Sequence, residues 1–423
     1  MAKILVYTSP ARGHRYPLVP TLEELRRRGH AVAVRTLASE VERVRALGFS
    51  AEPIAPAIEA RAIDDWRASS PPAALLAAGR TFVERGRHEL ADLRRAIVDE
   101  RAELLYVDVN TWGAAAVAEA SGLPWAVFAP YLQPIRAPGV PPWGLGYAPL
   151  RGPLGWLRDA LLWRVLDALF DRVLPDLNRL RRSAGAAPLR HLTEASRAAP
   201  RIVAYTAEPF EYPRAWPASV RLVGPGLWEP PTGAAPALPD DGRPVVLVTC
   251  STEYQNDGRL VEAALEALAD EPVRIVATTA SIDPAQFRPP ANATVVRFAP
   301  HGPLLARASC VVCHGGMGIT QKALAAGVPV CVVPFGRDQL EVARHVDVAR
   351  AGTRLPSRRL SPTRLRAAVR VATTRREGAA RIAAAFREAG GASAAADALE
   401  ELAPRRAATT PPHGLRAPAE ARA

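Results

Sequence analysis

The sequence predicts an α/β protein built from two doubly wound domains. Short apolar runs alternate with helical patterns along most of the chain, which is typical of parallel α/β architecture. The 423 residues exceed what one ordinary hydrophobic core holds, so we expect two domains of roughly 200 residues each. The alternation stops in the Pro- and Gly-rich segment 229–243 and then restarts, which indicates a linker between the domains.

The first domain, residues 1–228, contains four predicted strands. They are expected at residues 4–7, 31–34, 104–107 and 125–128. A helix with Leu18, Leu22 and Leu25 on one face follows the first strand and ends at Gly29, a residue type favoured just after a last helical turn. Further helices are expected at 114–121 and, with amphipathic character, near 158–170.

The second domain, residues 244–402, repeats this alternation. Strands are expected at 245–248, 273–278, 294–298, 310–313 and 328–333, and helices at 258–269 and 318–326. Two doubly wound domains joined by a linker create a cleft between the carboxyl ends of both sheets, where ligands bind. The last segment, 403–423, has no apolar face, and we predict that it is a disordered tail.

The net charge of +12 does not by itself indicate a nucleic-acid partner. The arginines are scattered along predicted helices, with acidic residues between many of them and no accompanying stripe of aromatic side chains. A solvated surface is therefore favoured over nucleic-acid binding. The apolar run at 4–7 is too short for a signal peptide, and no stretch reaches the ~18 apolar residues of a membrane span. We expect a cytoplasmic protein.

Four cysteines lie between residues 250 and 331, in or beside apolar runs. Without a secretion signal they are predicted to be buried free thiols. Cys310 and Cys313 form, with His314, the C-x-x-C-H pattern of covalent haem attachment. That chemistry needs an exposed loop, whereas these cysteines flank two valines in a predicted strand, so we do not expect a haem.

A glycine-rich turn follows the predicted strand at 310–313 and opens the next helix. Gly315, Gly316 and Gly318 remove side chains where a helix N-terminus presents free N–H groups. The unpaired donors and the helix dipole both favour an anion, and a diphosphate fits such a site. Many glycine-rich turns are only tight connections, so the turn alone leaves both interpretations open.

A second candidate site lies in the first domain. His14 follows the first strand, and Asp108 ends the strand at 104–107, so both belong to the carboxyl edge of the sheet. A lone histidine in a loop is more often a surface residue than a catalyst. An aspartate that accepts from one ring nitrogen fixes the tautomer and leaves the other nitrogen to accept a proton. The pair therefore favours a catalytic base.

Several motifs around the glycine-rich turn carry a family resemblance. They are Phe298-Ala299-Pro300-His301, His314-Gly315-Gly316, Gly336-Arg337-Asp338-Gln339, Val223-Gly224-Pro225 before the linker, and the turn Ser251-Thr252. With these motifs at matching spacings, the chain to about residue 400 resembles the family-1 glycosyltransferases of the GT-B fold. The bacterial members that glycosylate natural products are the most similar group.

The resemblance implies an acceptor-binding domain at 1–228 and a nucleotide-sugar-binding domain at 244–402, whose last helix is able to pack back on the first domain. The implied donor-binding residues are Ser251, Thr252, Phe298, His301, His314, Gly315, Gly316, Gly318, Thr320, Lys322, Asp338 and Gln339. In the family the first motif holds the nucleobase, the turn holds the diphosphate, and the last two residues contact the sugar.

Three departures from the family pattern concern the donor. His301 replaces a glutamine, so base recognition is expected to differ. Ile319 stands where plant members have a hydroxyl, and Thr320 beside it is the alternative phosphate contact. Lys322 replaces a glutamate that grips both ribose hydroxyls in many relatives. Its loss favours a dTDP donor over UDP, unless Lys322 points to solvent and the ribose is held elsewhere.

The resemblance also implies that His14 is the general base and Asp108 its partner. The expected activity is inverting transfer of a sugar from a dTDP or UDP donor to a hydroxyl of a small, largely apolar acceptor. The nucleotide sugar is a co-substrate, and neither a cofactor nor a metal is expected. The alternatives are a nucleotide-sugar epimerase of the same fold and a non-catalytic auxiliary protein. We expect a monomer or a homodimer.

Aromatic side chains predict the walls of an acceptor pocket. One group lies within 130–180 and includes Trp143 and Tyr147; the other lies within 60–90 and includes Trp66 and Phe82. Large apolar acceptors need aromatic surface, although ordinary packing between helices or domains uses the same residues. Both uses are expected among these side chains.

Overall fold

The computed structural model describes residues 1–68, 70–231, 235–252 and 255–403, and its side-chain description leaves out Trp66, Pro71, Ser196 and Arg197. The predicted disordered tail therefore lies, apart from Ala403, outside the described residues. The predicted linker at 229–243 lies between the last strand of one sheet and the first strand of the other.

The first sheet has seven parallel strands in the order β3-β2-β1-β4-β5-β6-β7. They are β1 (Lys3–Tyr7), β2 (Ala31–Thr36), β3 (Ser50–Pro53), β4 (Leu104–Asp108), β5 (Trp125–Ala129), β6 (Ile202–Ala204) and β7 (Val220–Leu222). Alternate residues of the central strand β1 enter different cores, Leu5 on one face of the sheet and Ile4 on the other. This burial on both faces explains why the strands are apolar throughout.

The second sheet has six parallel strands in the order β10-β9-β8-β11-β12-β13. They are β8 (Val245–Thr249), β9 (Arg274–Thr278), β10 (Ala293–Val296), β11 (Ala308–Cys313), β12 (Val330–Val332) and β13 (Gly352–Arg354). Its two faces carry separate apolar cores as well. The prediction of two doubly wound sheets is confirmed.

Helices cover both sheets. Those of the first half are α1 (Arg12–Arg15), α2 (Val19–Arg27), α3 (Val41–Ala46), α4 (Pro56–Glu59), α5 (Pro71–Glu100), α6 (Trp112–Ala120), α7 (Pro153–Phe170) and α8 (Leu174–Ala184). Those of the second half are α9 (Gly258–Leu268), α10 (His301–Leu305), α11 (Met317–Ala325), α12 (Gln339–Val348), α13 (Pro362–Thr373), α14 (Arg376–Glu388) and α15 (Gly391–Glu400). No helix in these described ranges is long and apolar enough to cross a bilayer.

The last helix, α15, packs on α2 of the first half. Ala395 and Leu399 share a buried cluster with Leu22 and Leu25 of α2. Arg28 at the end of α2 donates to Asp397, at 2.5 Å, and to Glu400, at 2.8 Å, on the helix. The end of the described chain therefore returns to the first half.

The strand orders place a site between the halves. In the first sheet the order reverses between β1 and β4, and in the second sheet it reverses between β8 and β11. Loops leaving neighbouring strands at such a point turn to opposite sides and open a crevice at the carboxyl edge. The segments that follow β1, β8 and β11 contain His14, the turn Ser251-Thr252 and the glycine-rich turn, and Asp108 ends β4.

Candidate active site

One cleft of about 1720 Å³ lies between the two halves, lined by loops from both sheets. It receives His14 from the loop after β1, and Asn110 from the loop after β4. From the second half it receives Ser251 after β8, Gly318 after β11 and Asp338 after β12. The structure thus brings the two sites predicted from sequence to the walls of one cavity.

His14 and Asp108 form a hydrogen-bonded pair on the wall of this cleft that belongs to the first half. The Nδ1 atom of His14 lies 3.0 Å from Oδ1 and 3.1 Å from Oδ2 of Asp108. The carboxylate is fully buried and also accepts from Ser9 and from the backbone N–H of Asn110. The His14 side chain is 19% exposed and lines the cleft.

The surroundings of His14 strengthen it as a base. Burial lowers the pKa of His14, but the charge and hydrogen bond of Asp108 raise it by more, with a smaller contribution from Asp338, so the pKa lies above its usual value. Burial raises the pKa of Asp108, but the imidazole and the N–H donors around it lower it below its usual value. Asp108 is therefore ionised and steadies the protonated imidazole.

Two residues beside His14 were missed from the sequence. The Tyr131 hydroxyl donates to Oδ1 of Asn110 at 3.0 Å, and Nδ2 of Asn110 lies 3.5 Å from Nε2 of His14. A carbonyl oxygen only accepts, so the tyrosine fixes which end of the amide faces the imidazole. Asn110 lies two residues beyond Asp108, and this adjacency was the available sequence signal.

The glycine-rich turn lines the part of the cleft that belongs to the second half. Gly316 is the N-cap of α11, and Gly318 is in its first turn. A Cβ on Gly318 would meet nothing within 4 Å, because the position opens on the cleft. A Cβ on Gly316 would lie 2.4 Å from Nε2 of His314, so only glycine fits under that ring. The free N–H groups of α11 thus face an open space suited to an anion.

His314 is buried beside the turn. Burial lowers its pKa in spite of the Asp257 carboxylate, whose Oδ2 lies 4.0 Å from the His314 Nδ1. Asp257 is fully buried, and its Oδ2 accepts from the Ser251 N–H at 2.6 Å. This bond holds the turn Ser251-Thr252 in place. The neutral imidazole is suited to donate a hydrogen bond to an anion at the floor of the cleft.

Two predicted donor contacts lie away from the cleft. Thr320 is fully buried, and its hydroxyl donates to the Gly316 carbonyl at 2.9 Å, so it is not placed to contact phosphate. Ile319 lines the cleft instead. Gly315 has a left-handed φ of 95°, and its backbone packs against Val332 and Gln339. Thr320 and Gly315 were expected to contact the donor, and this expectation is corrected. Both residues support the glycine-rich turn from the side away from the cleft.

Gln339 also supports a loop. Its Oε1 accepts from the N–H groups of Phe335, at 2.8 Å, and Gly336, at 3.1 Å. Its Nε2 donates to Gln255 at 2.6 Å, and Gln255 donates to the Ser251 hydroxyl at 2.6 Å. Gln339 therefore has one N–H left for a sugar, whereas Asp338 lines the cleft close enough to influence His14.

Lys322 faces the cleft, where it meets a carboxylate from the linker. Its Nζ lies 2.9 Å from Oε1 of Glu229. Glu229 also accepts from the N–H groups of His301, at 3.0 Å, and Gly302, at 3.2 Å, which open α10. The pKa of His301 falls to about 4, because of burial and the lysine charge, so its ring is neutral. Phe298 lies at this end of the cleft with 59% of its surface exposed, where a nucleobase can stack on its ring.

The acceptor wall contains part of the predicted aromatic set. Phe82 contacts Trp112 edge to face at 5.2 Å, and Trp143 lies 6.0 Å from Tyr131; all four line the cleft. Tyr147 is 43% exposed outside the cleft, beneath Arg158, which corrects its expected role. The side chain of Trp66 lies outside the described part of the chain.

The four cysteines are free and buried, as predicted. Cys310 and Cys313 are fully buried in β11, where a haem cannot reach their sulfur atoms. Within the described residues, no three His, Cys, Asp or Glu side chains come together as a metal site requires.

Comparisons with known proteins identify the family of the chain. Residues 262–402 match the family model described as erythromycin biosynthesis protein CIII-like, C-terminal domain. The chain is 35% identical over 388 residues to 4′-demethylrebeccamycin synthase of Lentzea aerocolonigenes, covering 87% of this chain and 91% of that protein. The chain belongs to the GT-B glycosyltransferases of natural-product biosynthesis. It is accordingly a glycosyltransferase of the antibiotic-biosynthesis type.

Other matches extend this result. A PGL/p-HBAD biosynthesis glycosyltransferase of Mycobacterium tuberculosis is 38% identical over 157 residues, 36% of each chain. The solved glycotransferase of kitacinnamycin has a TM-score of 0.76 at 22% identity, covering 95% of this chain and 99% of that one. The calicheamicin glycosyltransferase CalG4 has a TM-score of 0.74 at 23% identity, covering 95% and 98%. The GT-B fold prediction is confirmed.

Proposed function

We propose that this glycosyltransferase moves a sugar from a nucleotide diphosphate donor to a hydroxyl of a small, largely apolar acceptor, with inversion at the anomeric carbon. The observation that carries the proposal is the 3.0 Å pair of His14 and Asp108, which faces the open N-terminus of α11 across one cleft. A base on one wall and an anion site on the other fit the two ends of a displacement reaction.

In the proposed reaction His14 accepts the acceptor's hydroxyl proton on Nε2. The hydroxyl oxygen forms a bond to the anomeric carbon while the bond from that carbon to the diphosphate oxygen breaks. The electron pair of the broken bond leaves with the diphosphate. Attack from the side opposite the leaving group inverts the configuration. General-base assistance of this kind is typically worth about 10²–10⁴ in rate.

The leaving diphosphate would be stabilised at the N-terminus of α11, with Ser251 and the neutral His314 beside it. Preorganised N–H and O–H donors of this kind stabilise developing negative charge without a metal ion. Asp338, which lines the same cleft as His14, would accept from sugar hydroxyls. Closure of the halves would exclude water, which otherwise hydrolyses the donor.

The donor nucleotide would be a dTDP or UDP sugar, stacked on Phe298. Lys322 does not point into solvent but holds Glu229 at the cleft. The linker therefore supplies a carboxylate near the position where the family's glutamate is absent. Because Glu229 is able to accept from a ribose hydroxyl, the replacement at 322 no longer favours dTDP over UDP.

The test is a transfer assay with product analysis, preceded by thermal-shift screening against UDP- and dTDP-sugars, because a bound donor stabilises the folded state. His14→Ala should lower the turnover of the best pair about 10²–10⁴-fold while the donor still raises Tm. His191→Ala is the matched control, because His191 pairs with Asp171 at 2.7 Å and does not line the cleft. Transfer by His14→Ala at the wild-type rate would refute the proposal.

The same assay separates the alternative functions. An epimerase would convert the nucleotide sugar without an acceptor, and an auxiliary protein would bind but not transfer. The aromatic wall around Trp143 and the ordered His14–Asp108 pair support transfer to an apolar acceptor over both.

A further inference from the structure

A two-pronged ion pair joins the halves across the cleft. Arg337 donates through Nε to Oδ2 of Asp65 at 2.9 Å and through Nη2 to Oδ1 at 3.0 Å. The Asp65 side chain is 5% exposed, in the short 3-10 helix Asp65–Arg67 of the acceptor half. Fork-shaped pairs of this kind fix orientation as well as distance. The two residues are 272 positions apart in the chain.

Arg337 holds an unusual backbone conformation in the donor half. Its φ is 55°, in the left-handed region that an arginine rarely adopts. It lies between Gly336 and Asp338, in the loop that Gln339 supports from below. A residue in the left-handed region keeps this conformation when surrounding contacts hold it there. At Arg337, the contact with the Asp65 carboxylate connects the second half to the first.

The guanidinium charge is close enough to influence both His14 and His314. The Arg337 charge lowers the pKa of both His14 and His314, although burial and the neighbouring carboxylates influence these two pKa values more strongly. Asp65 therefore sets where this charge stands relative to the base and the diphosphate turn. Ile63, Asp64 and Ala68, on either side of the same 3-10 helix, line the cleft. An acceptor in the cleft would contact the segment that holds Arg337.

We propose that Asp65 is a positioning residue for the donor sugar: through Arg337 it holds the loop 335–339 against the acceptor half. The inference rests on the proposed function and adds that binding of the donor sugar depends on a contact with the first half. The nucleotide part of the donor is bound by the second half and the linker, whereas the sugar is held fully only when the first half is in place. Release of the pair leaves nucleotide binding intact, loosens the sugar and admits water.

The experiment compares Asp65→Asn, Arg337→Gln and the double variant with the wild type. Isothermal titration measures UDP against UDP-glucose and dTDP against dTDP-glucose, and product analysis measures transfer and donor hydrolysis. Each single variant should weaken nucleotide-sugar binding about tenfold, change nucleoside-diphosphate binding less than about twofold, and raise the hydrolysed share of donor. The double variant should resemble either single one, because both remove one interaction.

Asp397→Asn is the matched control. Asp397 pairs with Arg28 and joins the same two halves of the chain outside the cleft, so this variant should keep the wild-type affinity for both ligands. A purely structural role of Asp65 would weaken nucleotide and nucleotide-sugar binding alike, and that result would overturn the inference. Wild-type affinities in Arg337→Gln, or losses that add in the double variant, would also overturn it. A wild-type protein that binds no nucleotide sugar would overturn the proposed function itself.

Discussion

Replacement of Asp108 by asparagine tests the proposed base most sharply, because it changes one atom and leaves the shape of the side chain. Oδ2 of Asp108 accepts from the N–H of Ser9 at 3.2 Å and from its hydroxyl at 2.7 Å, so the amide oxygen of the Asp108→Asn variant would take that place. The new NH₂ group would then face Nδ1 of His14 and the N–H of Asn110.

This arrangement reverses the tautomer of His14. An NH₂ donor beside Nδ1 requires that nitrogen to accept, so the ring proton moves to Nε2, the atom that should receive the acceptor's proton. The imidazolium formed during reaction also loses its counter-charge. We expect kcat to fall about 10²–10⁴-fold, or about 3–5 kcal/mol in the barrier. The unpaired N–H of Asn110 should lower the free energy of unfolding by about 1–3 kcal/mol.

The pH profile supplies a second readout. Wild-type kcat/KM should fall as the pH drops through the pKa of His14, which Asp108 raises above its usual value. Without that carboxylate burial becomes the dominant influence and lowers the pKa, so the acid limb of Asp108→Asn should move to lower pH while the plateau falls. Initial rates by chromatography between about pH 5 and 9 measure both effects. A variant with wild-type kcat, or an acid limb that stays in place, would refute the reasoning.

Three further predictions concern the donor site and the core. Gly318→Ala places a Cβ in open space, so it should keep or raise the free energy of unfolding while weakening UDP and dTDP binding; Gly316→Ala, whose Cβ meets an imidazole nitrogen at 2.4 Å, should destabilise the fold as well. Glu229→Gln, which unpairs Lys322, should weaken UDP binding more than dTDP binding, because only ribose carries the 2′-hydroxyl; equal losses in calorimetry would contradict this. Burial raises the pKa of Glu89 to about 8, so between pH 5 and 8 the folded state keeps a proton that the unfolded state releases. The free energy of unfolding of the wild type should therefore fall by up to ~1.4 kcal/mol per pH unit in this range. Urea unfolding of Glu89→Gln should show a smaller fall over the same range.

The fold was largely predictable because buried parallel strands are apolar on both faces. The runs that became β1, β4, β5, β8 and β11 are all of this kind. Four strands of only three or four residues were missed: β3, β6, β7 and β13. The three-residue strands β6 and β7 close the sheet edge after a long stretch of helices. Strands of this length are defined by the neighbour they pair with, which sequence periodicity does not report.

The site was predictable as far as local pattern reaches. His14 and Asp108 each follow an apolar strand, so the shared carboxyl edge could be inferred from the sequence. Thr320 was misplaced because one residue along a helix rotates a side chain by roughly 100°, which moves it from the cleft to the core. Ile319, one position earlier, faces the cleft instead.

The contacts between the halves explain what remained hidden. Lys322 has no carboxylate partner within the donor motif, yet Glu229 supplies one from 93 residues away, and Arg337 meets Asp65 across 272 residues. Both pairs connect a donor-side cation to an acid outside the second sheet, in the linker and in the acceptor half. The family pattern covers only residues of the donor motif, so in the sequence Lys322 is a departure from that pattern. In the folded chain these charges are paired across the cleft, so the proposed donor site draws on the linker and the first half as well as on the second half.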